Sequence, residues 1–186
     1  MYKVLLKREL APNIYLLKVA APNVAKKAQP GHFVIVRVDE AGERIPLTIA
    51  DWNRDEGSIN IVFNRVGKTT RKLSRLEEGD SITNVAGPLG LPAEIDKFGT
   101  VACVIGGYSV SSIVPTARAL KEAGNKIISI IRTPTKETLF GEERLGKYSD
   151  KVIIVTGDNS YDCQGFILEP LKELLGHEKI DRVIVI

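Results

Sequence analysis

Along the first half of the chain, apolar and polar positions alternate in short runs such as Ile59-Asn60-Ile61 and Leu17-Lys18-Val19, broken by Pro, Gly, Asn and Asp. A period of two marks strands with one buried face. The pattern predicts strands over residues 2–10, 14–20, 33–38, 45–50, 58–64 and 81–85, with one helix candidate, 68–76. Closely spaced strands with turn residues between them predict an antiparallel β-barrel of Greek-key type. After Phe98-Gly99 the pattern changes to continuous Val/Ile strands alternating with helical stretches. Strands are expected at 100–105, 126–131, 151–156 and 182–186, and helices at 110–123, 137–146 and 164–175. Continuously apolar strands separated by helices form parallel sheets covered on both faces, here a Rossmann-like α/β domain. Two domains follow, 1–97 and 98–186, the second ending on a strand with no loop after it, as in an incomplete domain.

Composition narrows the classes. With 186 residues, 44% of them hydrophobic, the chain can bury one core or two adjoining ones. The net charge of +3 comes from basic and acidic residues interspersed along the chain, which argues against nucleic acid and suits an anionic small ligand. Its two cysteines, Cys103 and Cys163, and two histidines, His32 and His177, lack metal-site spacing. A reducing, cytoplasmic setting is expected, with no membrane span. No Ser, His and acid arrangement suits hydrolysis and no carboxylate pair suits glycoside cleavage. No catalytic side chain is assigned, as expected where a cofactor carries the chemistry.

Four segments of the barrel half stand out: Pro30-Gly31-His32-Phe33-Val34, Arg44-Ile45-Pro46-Leu47-Thr48-Ile49, Val66-Gly67-Lys68-Thr69-Thr70 and Gly87-Pro88-Leu89-Gly90. Arg44 offers a guanidinium for a pyrophosphate, and the backbone after Thr48 an edge for a planar ring system. The simpler reading is an edge strand with a solvated arginine. Gly67, Thr69 and Thr70 fall where a strand gives way to a helix, so backbone N–H groups and hydroxyls are available to a phosphate. Asn64 can bond a ribityl or ribose hydroxyl, or close a turn. The first and last segments read as turns, one launching a strand and the other leaving the barrel, with His32 a satisfied surface or rim residue.

In the α/β half, Gly106, Gly107 and Ser109 follow the first strand and open a helix, where glycines let a dinucleotide pyrophosphate approach. Ser109 is equally an N-cap candidate. Arg132 and Asp158 end the second and third strands on the same rim. Arg132 suits a ribose or 2′-phosphate, or solvent; Asp158 suits a ribose or carboxamide, or starts the Asp158-Asn159-Ser160 turn. Cys103 reads as a small buried hydrophobe. Cys163 is expected in an exposed loop, without a partner that would make it a nucleophile.

On these residues the chain resembles the ferredoxin–NADP reductase superfamily, and within it the small flavoprotein subunits of the dihydroorotate dehydrogenase electron-transfer type. The resemblance implies FAD, held by Arg44, Pro46, Leu47 and Thr48 at the flavin, Val62, Phe63 and Asn64 along the ribityl chain, and Gly67, Thr69 and Thr70 at the pyrophosphate. It implies NAD(P)H as substrate and, as partners, a larger flavoprotein or dehydrogenase subunit and ferredoxin. The family's third glycine is replaced by Tyr108, and its C-terminal [2Fe-2S] ligands are missing from this sequence. The resulting expectation is an FAD-dependent oxidoreductase moving electrons between NAD(P)H and an iron–sulfur centre or partner subunit. The alternative is a flavin or nucleotide module without that activity.

Overall fold

The computed structural model describes residues 1–158, 160, 163–164 and 166–186, with backbone alone at 163 and 164. It divides into two compact units, Met1–Ala93 and Glu94–Ile186. The first contains β1 (Tyr2–Ala11), β2 (Ile14–Ala20), α1 (Pro22–Lys27), β3 (Phe33–Arg37), β4 (Ile45–Asn53), β5 (Ser58–Asn64), α2 (Lys68–Leu73), β6 (Ser81–Ile82) and β7 (Asn84–Leu89). Among the described residues these strands form one antiparallel sheet in the order β6-β1-β2-β5-β4-β3-β7. Its end strands, β6 and β7, are consecutive in the chain. Thr83 between them donates its N–H and its hydroxyl to the Val38 carbonyl, at 3.1 and 3.0 Å, so the sheet curls into a nearly closed barrel. Alternate residues point inward, among them Leu17, Val19, Val34, Val36, Ile59 and Ile61, all at most 1% exposed.

Two local expectations change here. Helix α1 was not foreseen, because six residues are too few for a helical period to emerge; Pro22 in its first turn is the one signal, and Val24 and Ala25 join the core. Gly87-Pro88-Leu89 does not leave the barrel as a turn but continues β7. The register runs Ile35↔Ala86 and then Phe33↔Leu89, so β7 carries an extra residue in a bulge, where a proline costs the ladder little. Residues 81–85 accordingly split between β6 and β7.

The second unit contains β8 (Thr100–Gly106), α3 (Val110–Glu122), β9 (Lys126–Thr133), α4 (Glu142–Gly146), β10 (Lys151–Thr156), β11 (Cys163–Gln164), α5 (Leu168–His177) and β12 (Arg182–Val185). Every strand pairing is parallel, in the order β11-β10-β9-β8-β12. Leu174 of α5 packs with Ala102, Val104, Ile128, Ile130 and Val155 on one face. Helix α3 lies against β8 and β9, with Ile113, Val114, Ala117 and Leu120 buried. Cys103 is fully buried, and burial pushes its thiol up to about 12, as befits an inert apolar packer.

Residues 94–97 belong to this unit rather than to the barrel. The buried Asn125 amide accepts N–H groups from Phe98 and Gly99, at 2.7 and 3.0 Å, and donates to the carbonyls of Asp96 and Leu120, at 2.8 and 2.7 Å. Arg182 adds an ion pair to Glu94 at 2.5 Å. The helix expected at 137–146 is a 3-10 turn over Lys136–Thr138 and then α4, because Gly141 between them is left-handed (φ +76°). Helix α5 starts at Leu168 and not at 164. Pro170 then falls in its first turn, where no N–H is needed, while Gln164 pairs with Thr156 in β11.

Asp150 ties α3 to the start of β9: its carboxylate accepts from Lys121 at 2.6 Å and from the Ile127 N–H at 2.8 Å. The Lys121 ammonium, followed by that N–H, holds the Asp150 carboxyl below its usual value of 3.8. A depressed acid stabilises the fold above the unfolded value, and that gain is lost as pH falls through the folded one. Asp150→Asn is therefore expected to melt about 2–4 °C below the parent at neutral pH. Thermal melts across pH should show the gap closing below about pH 4.

Candidate functional site

Strand β4 changes partner halfway along. Residues 45–48 pair with β3, ending at Phe33↔Thr48, whereas from Ile49↔Ile61 onward β4 pairs with β5. Beyond Ile61, Val62, Phe63 and Asn64 are matched only to β2, at Leu16, Tyr15 and Ile14. Among the described residues, therefore, no register joins 45–48 of β4 to 62–64 of β5. The two strand edges part there and leave backbone N–H and C=O groups for another partner. Pro46, Leu47 and Thr48 line a cleft of 290 Å³ with Gly31 and Phe33, beside the exposed Arg44.

Not every residue expected here presents its side chain. The Phe63 ring is 2% exposed and stacks on Tyr15 at 6.1 Å, so it serves the core and only its backbone borders the parting. Val62 and Asn64 are half-buried. His32 is buried rather than on the surface, and its Nδ1 accepts the Gln29 N–H at 3.2 Å.

At the next turn Gly67 is extended and precedes α2. Thr70 Oγ1 accepts the N–H groups of Val66 and Gly67, at 3.1 and 2.9 Å, and donates to the Gly67 carbonyl at 3.2 Å. The hydroxyl expected to meet a phosphate is thus engaged in shaping the turn. Thr69 is 5% exposed and offers its backbone only. The amides of Lys68, Thr69 and Thr70 begin the helix and have no acceptor within it.

Sequence reasoning passed over the neighbours of this turn. Asn64 also borders a second cleft, of 470 Å³, with Asn13, Arg65, Val66, Arg71, Ser74 and Arg75. The i, i+4 spacing of Arg71 and Arg75 was the available signal, but Asn13 joins them only through the fold.

In the second unit, Gly106 ends β8 and a 3-10 turn over Gly107–Ser109 leads into α3. Gly107 is left-handed (φ +55°), and apart from its chain neighbours no atom of the described residues comes within 4 Å of where a Cβ would stand, so its backbone is open to approach. Ser109 makes no side-chain cap, and Tyr108 is 52% exposed. Arg132 lies between Gly106 and Val155 in register, and its Nε is buried without a hydrogen-bond partner among the described residues. Asp158 accepts the Ser160 hydroxyl at 2.6 Å and the Ser160 N–H at 3.1 Å. That hydroxyl contact leads the causes holding its carboxyl below the usual value. Ser160 Oγ in turn accepts the Lys136 N–H at 2.8 Å, so Asp158 braces the wall of a 570 Å³ cleft with Thr135, Lys136, Glu137 and Ser160. Gly106, Gly107, Ser109, Arg132 and Asp158 thus share the carboxyl-end rim of the parallel strands. Asn159 and the side chain of Cys163 lie outside the described residues.

No family model matches the chain. A curated protein of Thermotoga maritima, "Dihydroorotate dehydrogenase B (NAD(+)), electron transfer subunit homolog", is 40% identical over 96% of this chain and 63% of its own. The electron transfer subunit of dihydroorotate dehydrogenase B from Desulforamulus reducens is 30% identical over 95% of this chain and 69% of its own. A solved NADH-dependent reduced ferredoxin–NADP oxidoreductase superposes with a TM-score of 0.93 at 37% identity, over all of this chain and 67% of that one. The chain belongs to the family of dihydroorotate dehydrogenase B electron transfer subunits. It spans 63% and 66% of the first two curated relatives, less than two thirds of either. No helix of the described residues is long and apolar enough to cross a membrane.

For this member of the electron transfer subunit family, Thr70 gives a direct check on the turn before α2. Thr70→Val removes an acceptor shared by two N–H groups and should cost about 1–2 kcal/mol of stability, whereas Thr70→Ser should cost little. Denaturant unfolding of the two variants measures the difference.

Proposed function

We propose that this chain binds FAD in its barrel unit and NAD(P)H in its α/β unit, and that it carries electrons from the nucleotide to an iron–sulfur centre or partner dehydrogenase subunit. The observation that carries the reading is the parting of β4 from β5. A strand edge presents alternating donors and acceptors, and the pyrimidine edge of a flavin presents the complementary set. The residues fit the group. Pro46, Leu47 and Thr48 line a cleft for the rings, and 62–64 of β5 have no partner in β4. Arg44 and the amides of 68–70 suit the pyrophosphate. The finer topology proposed is a Greek-key flavin barrel followed by a Rossmann-like domain.

A bound flavin supplies the redox chemistry, accepting two electrons as hydride and releasing them one at a time. The chain's own residues bind and orient. Gly106 and Gly107 give a pyrophosphate access to backbone, the Arg132 Nε, without a partner among the described residues, offers a donor at the rim, and the Asp158–Ser160 contact braces a cleft wall suited to the adenosine side. No side chain is needed as acid or base for hydride transfer. Cys103 and Cys163 are too few to ligate a [2Fe-2S] cluster, so the proposed acceptor lies outside these 186 residues, on a partner or on further chain. The relatives' names, which make them electron transfer subunits of a dehydrogenase, support a larger dehydrogenase subunit as partner, and the name of the superposed oxidoreductase supports ferredoxin as a second acceptor. Cysteine usage supports a cytoplasmic setting.

Anaerobic visible spectra of the FAD-reconstituted chain test the proposal. Bound flavin is expected to bleach on addition of NADH or NADPH, and Arg44→Ala to weaken FAD binding about tenfold through loss of a charge-assisted contact. A chain that takes up no flavin would overturn the reading.

A further inference from the structure

We infer that the cleft between the β1–β2 turn and α2 is a phosphate-binding site for a ligand of the nucleotide class, with Arg65, Arg71 and Arg75 as its cations. The inference stands on the cleft's own residues and not on the flavin reading. Its lining is three guanidiniums, the side chains of Asn13, Asn64 and Ser74, and the exposed Val66. Among the described residues, none of the three arginines has a carboxylate partner in ion-pair contact. Arg71 stands in α2 and Arg75 in the turn that follows it, and both line this one cleft, where an anion would be held between like charges.

Arg65 is held ready. Its Nη2 donates to Asn13 Oδ1 at 2.5 Å, and its guanidinium lies over the Tyr15 ring at 5.7 Å. Tyr15 is itself anchored on Phe63 in the core. Asn13, in the left-handed conformation (φ 64°), is fixed by its N–H to Glu9 Oε1 at 3.1 Å and by its carbonyl, which accepts the Arg65 N–H at 2.8 Å. The cost of ordering one cation is thereby met before a ligand arrives. Guanidinium forks match phosphate oxygens in pairs, and amide side chains suit a sugar or base. The cleft's 470 Å³ is the size of a small-molecule site.

This cleft shares no residue with the one lined by Gly31, Phe33, Pro46, Leu47 and Thr48. Asn64 nevertheless stands both in the cleft and at the end of the open β5 edge. The phosphate therefore has two sources: the diphosphate end of a dinucleotide flavin, or a separate free nucleotide.

Calorimetric titration of inorganic pyrophosphate and of ADP into FAD-free and FAD-saturated protein tests the site. Saturable binding is expected to the FAD-free protein, weakened at least about tenfold in the Arg71→Gln/Arg75→Gln double variant. Lys147→Gln, which removes an exposed charge in the other unit, should leave binding unchanged. Thermal melting of the double variant should match the parent, since both arginines are exposed. ADP binding that persists on the FAD-saturated protein and is weakened there by Arg71→Gln/Arg75→Gln assigns the site to a separate nucleotide. ADP binding lost on FAD loading, with FAD affinity lowered in the double variant, assigns it to the flavin's own diphosphate. If neither pyrophosphate nor ADP binds the FAD-free protein, or if the double variant binds them as the parent does, the inference is wrong. Because that titration needs no flavin, its failure is distinct from failure of the chain to take up FAD.

Discussion

The site on the barrel depends on one constraint: β4 stays paired with β3 over 45–48 while its pairing with β5 begins only at Ile49. It pairs with β3 up to Thr48 and with β5 from Ile49, and the change is accompanied by a bulge where Ile49↔Ile61 is followed by Asp51↔Asn60. Bulges bend a strand and increase its twist, which a small barrel needs in order to close. The same bend leaves strand edges unpaired beside Leu47, Thr48 and 62–64. Backbone donors and acceptors at such an edge need a partner from outside the sheet, so the geometry that closes the barrel also leaves groups open to water or a ligand. Binding and barrel curvature are in this sense one feature.

The second unit reaches a comparable result by a different route. Its strands are buried on both faces by α3 and α5, so polar groups accumulate at the carboxyl ends, where the chain leaves the sheet. Gly106, Arg132 and Asp158 reach that rim because β8, β9 and β10 are in parallel register. Arg132 shows the consequence most clearly: its Nε is buried at the strand end without a hydrogen-bond partner among the described residues.

Much of this was legible in the sequence. The two periods, two and then continuous, separated the barrel from the parallel sheet, and strands such as Ile14–Ala20 and Ser58–Asn64 match the expected bounds. Features resting on contacts distant in sequence were not legible. The saturated Asn125 amide draws 94–97 into the second unit across 26 to 29 positions, and no local pattern announces it. Thr70 and Asp158 were recognised as important residues, but their polar atoms turn inward on Gly67 and Ser160 to shape loops. Sequence motifs locate such residues without distinguishing a ligand contact from a brace, because hydroxyls and carboxylates at turns do both. Arg65, Arg71 and Arg75 went unremarked for the opposite reason: arginines in and around a short helix read as solvated until the β1–β2 turn is seen beside them.

Amide hydrogen exchange, followed residue by residue with and without FAD, tests the central claim most directly. If the flavin completes the unpaired edges of β4 and β5, protection should rise at the amides around Leu47 and Thr48, along 62–64 and at 68–70, and should be unchanged at the interior of β1, which is already paired on β2. Tight FAD binding without added protection at 47–48 and 62–64 would contradict the account, because it would put the flavin somewhere other than the parting of the two strands.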